Sequence, residues 1–408
     1  MKLWAAIATG VLALGVGGAG AASSGSGAPA VVFAYETRYP LWSGNSSWLV
    51  HADPITLERV GSAEFSLTNT GWETTSPSGD RVAVTRSWHD KWDVGRVAIL
   101  DGRELRLGKW LPVGGRGHIE ALAWTRSNDV FVVGARFVSL IDAAKQRVVW
   151  TRRLQGRRLH HVATSRGIVM LRAPADRVGS AWLVFVGRGG TVRIKALPVS
   201  AGWGDYGGSR RTGVARVPGL AVDASSFRAF VVTRGRAVVV DLRTFRTRSA
   251  FLRPRLTQAE RTVGGSGFYR YAYWLGGGRL AVSGWNEQLG EVGISPTPVG
   301  FQLINLRDAS IRTIDRNVRS LKFDGRSVLA YQGDTWVSYS FTGTRRFSIG
   351  RSHILTWVGR YGYLIDEAGT LDPRNKTIVD LETGAALNTV YSTRWPIAEA
   401  SGVAGDPS

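Results

Sequence analysis

Residues 218–249 read PGLAVDASSFRAFVVTRGRAVVVDLRTFRTRS, and the fold of the chain is decided on this stretch. Residues 220–222, 229–233, 237–241 and 248–252 are short runs of Val, Ala, Leu and Phe. Between them stand Asp223 with two serines, then Gly235, then Asp241 and the residues after it. β-Branched and aromatic residues fit a pleated sheet, whereas Asp, Ser and Gly supply turn geometries that strands cannot adopt. The stretch therefore reads as four consecutive strands. It carries no catalytic signature.

The same plan recurs outward in both directions. Segments 72–113, 119–154, 161–199, 271–314, 318–349 and 354–391 repeat it, and 31–67 offers three of the four strands. The end of each third strand serves as a ruler. It falls at Asp53, Asp101, Asp142, Gly187, Asp241, Asn305, Ser340 and Asp380, with intervals of 48, 41, 45, 54, 64, 35 and 40 residues. Four-stranded units repeating at about 47 residues are the mark of a β-propeller, and a β-sandwich does not repeat in this way. The expected fold is an all-β propeller with eight blades, or seven if the N-terminal piece is an extra layer. The first unit lacks its innermost strand, and WPIAEA at 395–400 is placed to supply it. Trp124, Trp274 and Trp357 share one strand position and are expected to pack blade against blade.

Several repeats resemble known propeller families. GLAVDASSFRAFVVTRGRAVVVDLRTF (219–245) resembles YVTN-type and WD40-like repeats of bacterial propellers. SLIDAAKQRVVW (139–150) is similar to the quinoprotein-type repeat, in which an aspartate and a later tryptophan (here Asp142 and Trp150) dock neighbouring blades. GHIEALAW (117–124) is similar to the Gly-His opening of a WD40 repeat, although the WD dipeptide is absent. The resemblance implies the fold and no cofactor, because propellers host enzymes, binders and scaffolds alike.

Strands running outward in order place the turns between first and second, and between third and fourth, on one end of each blade. All of these are short. The connections on the opposite, top end are often long: 37–47, 87–95, 172–180, 284–300 and 366–375 within blades, and 200–219 and 253–267 between them. Loops on a rigid scaffold are where binding sites collect. The candidate ligand-binding residues on this face are Trp42, Trp88, His89, Trp92, Arg157, Arg158, Trp203, Asp205, Tyr206, Arg210, Arg211, Trp285 and Glu287. The tryptophans offer flat platforms for a sugar ring or peptide, and the arginines favour anions. His118, His161 and His353 precede the first strand of their units, at the mouth of the central channel. Imidazoles meeting there could bind a divalent ion. No carboxylate is obviously placed to join them, so no metal or cofactor is assigned.

The chain starts with Lys2, an apolar run at 3–16 and Ala19-Gly20-Ala21, the pattern of a signal peptide with its cleavage site. The expected organisation is a signal peptide at 1–21, a flexible linker at 22–29, one propeller domain at 30–400 and a disordered tail at 401–408. The mature chain has no apolar run long enough to span a membrane. There is no cysteine, which excludes disulfides, thiolate metal sites and cysteine nucleophiles. The net charge is +21, with 52 Lys and Arg residues of which only seven are lysine. Such a surplus of guanidinium attracts anionic surfaces. Export and the absence of any nucleic-acid-binding motif argue against nucleic acid.

These features point to an exported, monomeric, extracytoplasmic binding or scaffold propeller. Its top-face loops would recognise an anionic or carbohydrate-containing envelope component, or another protein. The alternative is a propeller enzyme of lyase, hydrolase or lactonase type at the channel mouth. Asp90, Asp93, Asp205, Glu287, Glu291, Asp366 and Glu367 would then be its candidate acids and bases.

Overall fold

A computed structural model describes residues 31–38, 46–67, 70–86, 95–114, 119–125, 127–203, 215–252, 267–290, 293–352, 354–365 and 374–397. Among these every regular element is a β-strand, and no helix is long and apolar enough to cross a membrane. The strands form a β-propeller. The predicted signal peptide, linker and tail lie outside the described residues.

The ruler positions have a structural cause. The third strands end at Ala52, Asp101, Asp142, Gly187, Asp241, Asn305, Tyr339 and Asp380, within one residue of the expected positions. The side chain at the strand end accepts hydrogen bonds from the turn that follows. Asp53 Oδ1 accepts from Ile55 N and Thr56 N, Asp101 Oδ1 from Arg103 N and Glu104 N, and Asp241 Oδ1 from Arg243 N and Thr244 N. Four residues beyond the ruler position the backbone turns left-handed, at Leu57, Leu105, Gln146, Phe245 and Ala309, and at Gly384. The side-chain acceptor is what holds this otherwise costly turn.

These turns predict a dependence of stability on acid pH. The backbone hydrogen bonds from Thr56 and Thr244 hold the Asp53 and Asp241 carboxyls below the usual carboxylate range. A depressed carboxyl contributes stability that is complete above about pH 4 and is lost as pH falls through that range. An Asp53→Asn, Asp241→Asn double variant keeps an acceptor but not the charge. Its urea midpoint should fall less steeply than wild type between pH 4 and 2, and equal slopes would contradict the turn's role.

The blade count requires a correction. Six separate four-stranded blades are present, not the eight, or seven, expected. The remaining strands belong to one ten-stranded sheet. It contains two four-stranded runs, Arg157–Thr164 to Val192–Trp203 and Gly267–Trp274 to Ser310–Asp315. The short strand Ala215–Val217 joins them, antiparallel to Val192–Trp203 and parallel to Gly267–Trp274. Period counting sees the runs but not the bridging strand, which lies in what reads as a loop.

Closure follows the expectation. Arg394–Pro396 pairs with Val32–Arg38, so the two ends of the chain share one blade. The core lies between neighbouring blades. Leu171, Leu183 and Val199 of the ten-stranded sheet pack with Leu220, Val231 and Val240 of the next blade. Trp124 is fully buried and donates to Thr74 O of the preceding blade at 3.1 Å, while Trp274 stacks on Phe230 at 4.7 Å. Trp150 packs on the following unit and donates to Arg188 O at 2.7 Å, the docking that the quinoprotein-like repeat implies.

Candidate functional site

The long top-face connections prove to be partly strand. Trp203 ends the twelve-residue strand Val192–Trp203, and Trp285 and Glu287 lie within Arg279–Gly290, which forms a projecting hairpin with Gly293–Pro298. Both segments read as loops because glycine, proline and polar residues interrupt them. Arg157 and Arg158 open the strand Arg157–Thr164.

The bridging strand draws these ends together. Trp203 pairs with Ala215, Val217 with Tyr269, and Tyr269 with Trp285. Tyr269 and Trp285 are direct cross-strand neighbours, stacked at 4.5 Å and 23°. Such a pair adds about 0.5–1.5 kcal/mol beyond the area it buries. Tyr271 tilts against Trp285 at 5.8 Å and meets the edge of His160 at 5.9 Å. The Trp203 indole acts on the Tyr269 hydroxyl, and the Arg157 guanidinium lies 3.9 Å over the Trp203 ring. Glu287 is buried and accepts from Ala215 N at 3.1 Å and from Trp285 Nε1 at 3.3 Å. Its carboxylate thus ties the bridging strand to the hairpin. Burial first, then the Glu287 charge, push the Tyr269 phenol above its usual range.

Arg158 stands beside this cluster. It pairs with Glu120 at 2.9 Å and donates to His161 Nδ1 at 3.0 Å. Burial first, then the charges of Arg158 and His160, hold the buried His161 well below the ordinary imidazole range. His161 is therefore a neutral acceptor, and its Nδ1 is engaged by Arg158. No group of three His, Asp or Glu that could hold a metal ion occurs among the described residues.

Of the predicted site residues, Arg157, Trp203, Trp285 and Glu287 come together directly, with Arg158 and His161 alongside. Trp42, Trp88, His89, Trp92, Asp205, Tyr206, Arg210, Arg211, His118 and His353 lie outside the described residues. Sequence reasoning missed Tyr269, Tyr271 and His160. The signal was present in FYRYAYW (268–274), where tyrosines at every second position face one side of a strand.

No family model matches the chain, and no curated protein matches it. Solved structures do. The chain is similar to AztD from Citrobacter koseri, with 11% identity over 90% of this chain and 96% of that one, at a TM-score of 0.54. It is similar to NirN, a dihydro-heme d1 dehydrogenase solved in complex with DHE, with 14% identity over 90% of this chain and 75% of that one, at 0.52. These neighbours are β-propellers. At such identities the likeness shows the fold alone.

The aromatic rings are half-buried, so one part is fixed by packing while another faces outward. Arg157 adds an exposed cation at the rim. Half-exposed rings suit the C–H face of a sugar, and guanidinium suits an acidic group.

Proposed function

We propose that this protein is an exported binding propeller whose top face recognises an acidic, carbohydrate-containing polymer of the cell envelope. The observation that carries the reading is the shelf of Arg157, Trp203, Tyr269 and Trp285, assembled from four strands. The net charge of +21 supports it by drawing the protein to anionic surfaces. The apolar N-terminal segment ending in Ala19-Gly20-Ala21 supports export.

The test is co-sedimentation with purified cell walls at low and high salt. Wild type should bind at low salt and lose much of that binding at high salt, since exposed charges are screened over roughly 10 Å at 0.1 M. Trp285→Ala and Arg157→Ala should each weaken binding about tenfold, an expected 1–2 kcal/mol. Arg248→Ala, on an exposed outer strand, should leave it unchanged. If wild type binds at neither salt, or Arg248→Ala weakens binding as much as Arg157→Ala, the reading fails.

A further inference from the structure

Arg172 lies in the strand Gly167–Ala173, directly opposite Arg158 of Arg157–Thr164, and it is fully buried. Its Nε donates to Gln155 O at 2.7 Å, and its Nη2 donates to the carbonyls of Gly156 and Ala135. Gln155 and Gly156 are the two residues before Arg157, in the connection that enters this strand from the preceding blade. Ala135 lies in the turn between Asp129–Gly134 and Phe137–Asp142 of that blade. One guanidinium thus ties together a strand of the shelf's own sheet, the connection leading into it and a turn of the blade before. Gly156 takes φ of +71°, and a Cβ there would stand 2.3 Å from Ala173 O, so the connection passes too close to the strand for a side chain.

The strand that starts there is irregular where it carries the shelf's arginines. In a regular strand, residues three apart face opposite sides. Here the pairing with Gly167–Ala173 slips between Arg158 and His160 and leaves Leu159 as an extra residue. The extra residue brings Arg158 and His161 to one side. Arg158 can therefore donate to His161 Nδ1 while it pairs with Glu120. Like charges directly opposite each other repel, so Arg172 favours the turn of Arg158 towards Glu120. Burying a cation is costly unless it is hydrogen-bonded, and the planar fork of arginine holds several carbonyls in a fixed arrangement that a lysine ammonium does not.

We propose that Arg172 is a positioning residue for the top-face shelf. By fixing the carbonyls of Ala135, Gln155 and Gly156 it sets where the strand begins and where its bulge falls. That lays Arg157 over Trp203 and turns Arg158 to Glu120 and His161. Arg172 is enclosed and acts only through these neighbours. No residue stands between the Gly156 carbonyl and Arg157, so a displacement of one passes directly to the other. Binding groups are held to within roughly 0.5 Å by supporting contacts of this kind. The role rests on the reading of the shelf as a binding site, but the positioning itself can be measured without any ligand.

The experiment compares wild type, Arg172→Lys and Arg172→Met as full chains. Without ligand, the His161 imidazole is followed by NMR in histidine-labelled protein, its signal identified by its loss in His161→Gln. Both variants should move that signal, because Arg158 no longer meets Nδ1 in the same way. An unmoved signal in Arg172→Lys overturns the proposal. With cell walls at low salt, Arg172→Met should weaken binding about tenfold, the loss expected of Arg157→Ala itself. Arg172→Lys should weaken it about threefold, since it keeps the charge and loses the fork. It also keeps most of the buried volume, so it decides the question if Arg172→Met folds poorly. Combined with Arg157→Ala, the Arg172→Lys loss should be smaller than the product of the two single losses, because both act on one guanidinium. Losses that multiply in full, or wild-type binding by Arg172→Lys, overturn the proposal. If wild type binds no wall while the His161 signal moves in the variants, the positioning stands and the envelope reading falls.

Discussion

Replacing Gly284 by alanine will cost about 3–5 kcal/mol and abolish binding at the top face. A Cβ at this position would stand 2.0 Å from Tyr269 O and 2.8 Å from Tyr269 C, both backbone atoms that cannot move aside. The backbone there has φ of +131°, which side-chain-bearing residues rarely adopt. Gly284 is also where the hairpin begins to rise from its blade: its carbonyl accepts from Val299 N at 2.9 Å, and it pairs with Arg270 across the strand. Displacing it pushes apart the strands that stack Trp285 on Tyr269. Urea unfolding and wall binding check the two halves. A Gly284→Ala variant with wild-type stability and binding would show that the stack is not built on this close approach.

Removing the clasp between the chain ends should have the next largest effect. Arg394 donates from Nε at 2.8 Å and from Nη2 at 2.7 Å to Glu36 Oε1, and from Nη1 at 3.0 Å to Leu57 O. Glu36 is buried, and Arg59 also stands near it, at 3.9 Å. Among the described residues, Arg394–Pro396 pair with Val32–Arg38, and Ile397 N donates to Phe33 O at 2.9 Å. Arg394→Ala takes a two-bonded cation away from a buried carboxylate and should cost about 3 kcal/mol. Adding Glu36→Gln should recover part of that loss, because an amide tolerates burial without a cation. Urea midpoints of the two single variants and the double variant measure the coupling. Strictly additive losses would mean that the ion pair is not what holds the ends.

The fold was legible because each repeat carries its own local instruction. Asp53, Asp101, Asp142, Asp241 and Asp380 mark strand ends through hydrogen bonds made within a few residues, so no long-range information is needed to place them. The chain-closing strand was legible because the first unit visibly lacked a partner. The bridging strand was not. Ala215–Val217 finds its partners at Trp203 and Tyr269, one on each side in sequence, and its own three residues have no pattern long enough to read. The site was legible in part for the same reason. Trp203 and Trp285 stand out as bulky residues among glycines, but what they touch is decided by how the two runs of the ten-stranded sheet are joined. Tyr269 looked like an ordinary strand residue, and only its stacking on Trp285 distinguishes it.

The measurement that tests the central claim most directly is hydrogen exchange of the full chain with and without a saturating glucuronate-rich oligosaccharide. Added protection is expected at residues 157–161, 200–203, 215–217, 267–271 and 284–287, with the third-to-fourth-strand turns near Asp53, Asp101 and Asp241 unchanged. Protection confined to those turns, or no change anywhere, would contradict a top-face site for acidic carbohydrate.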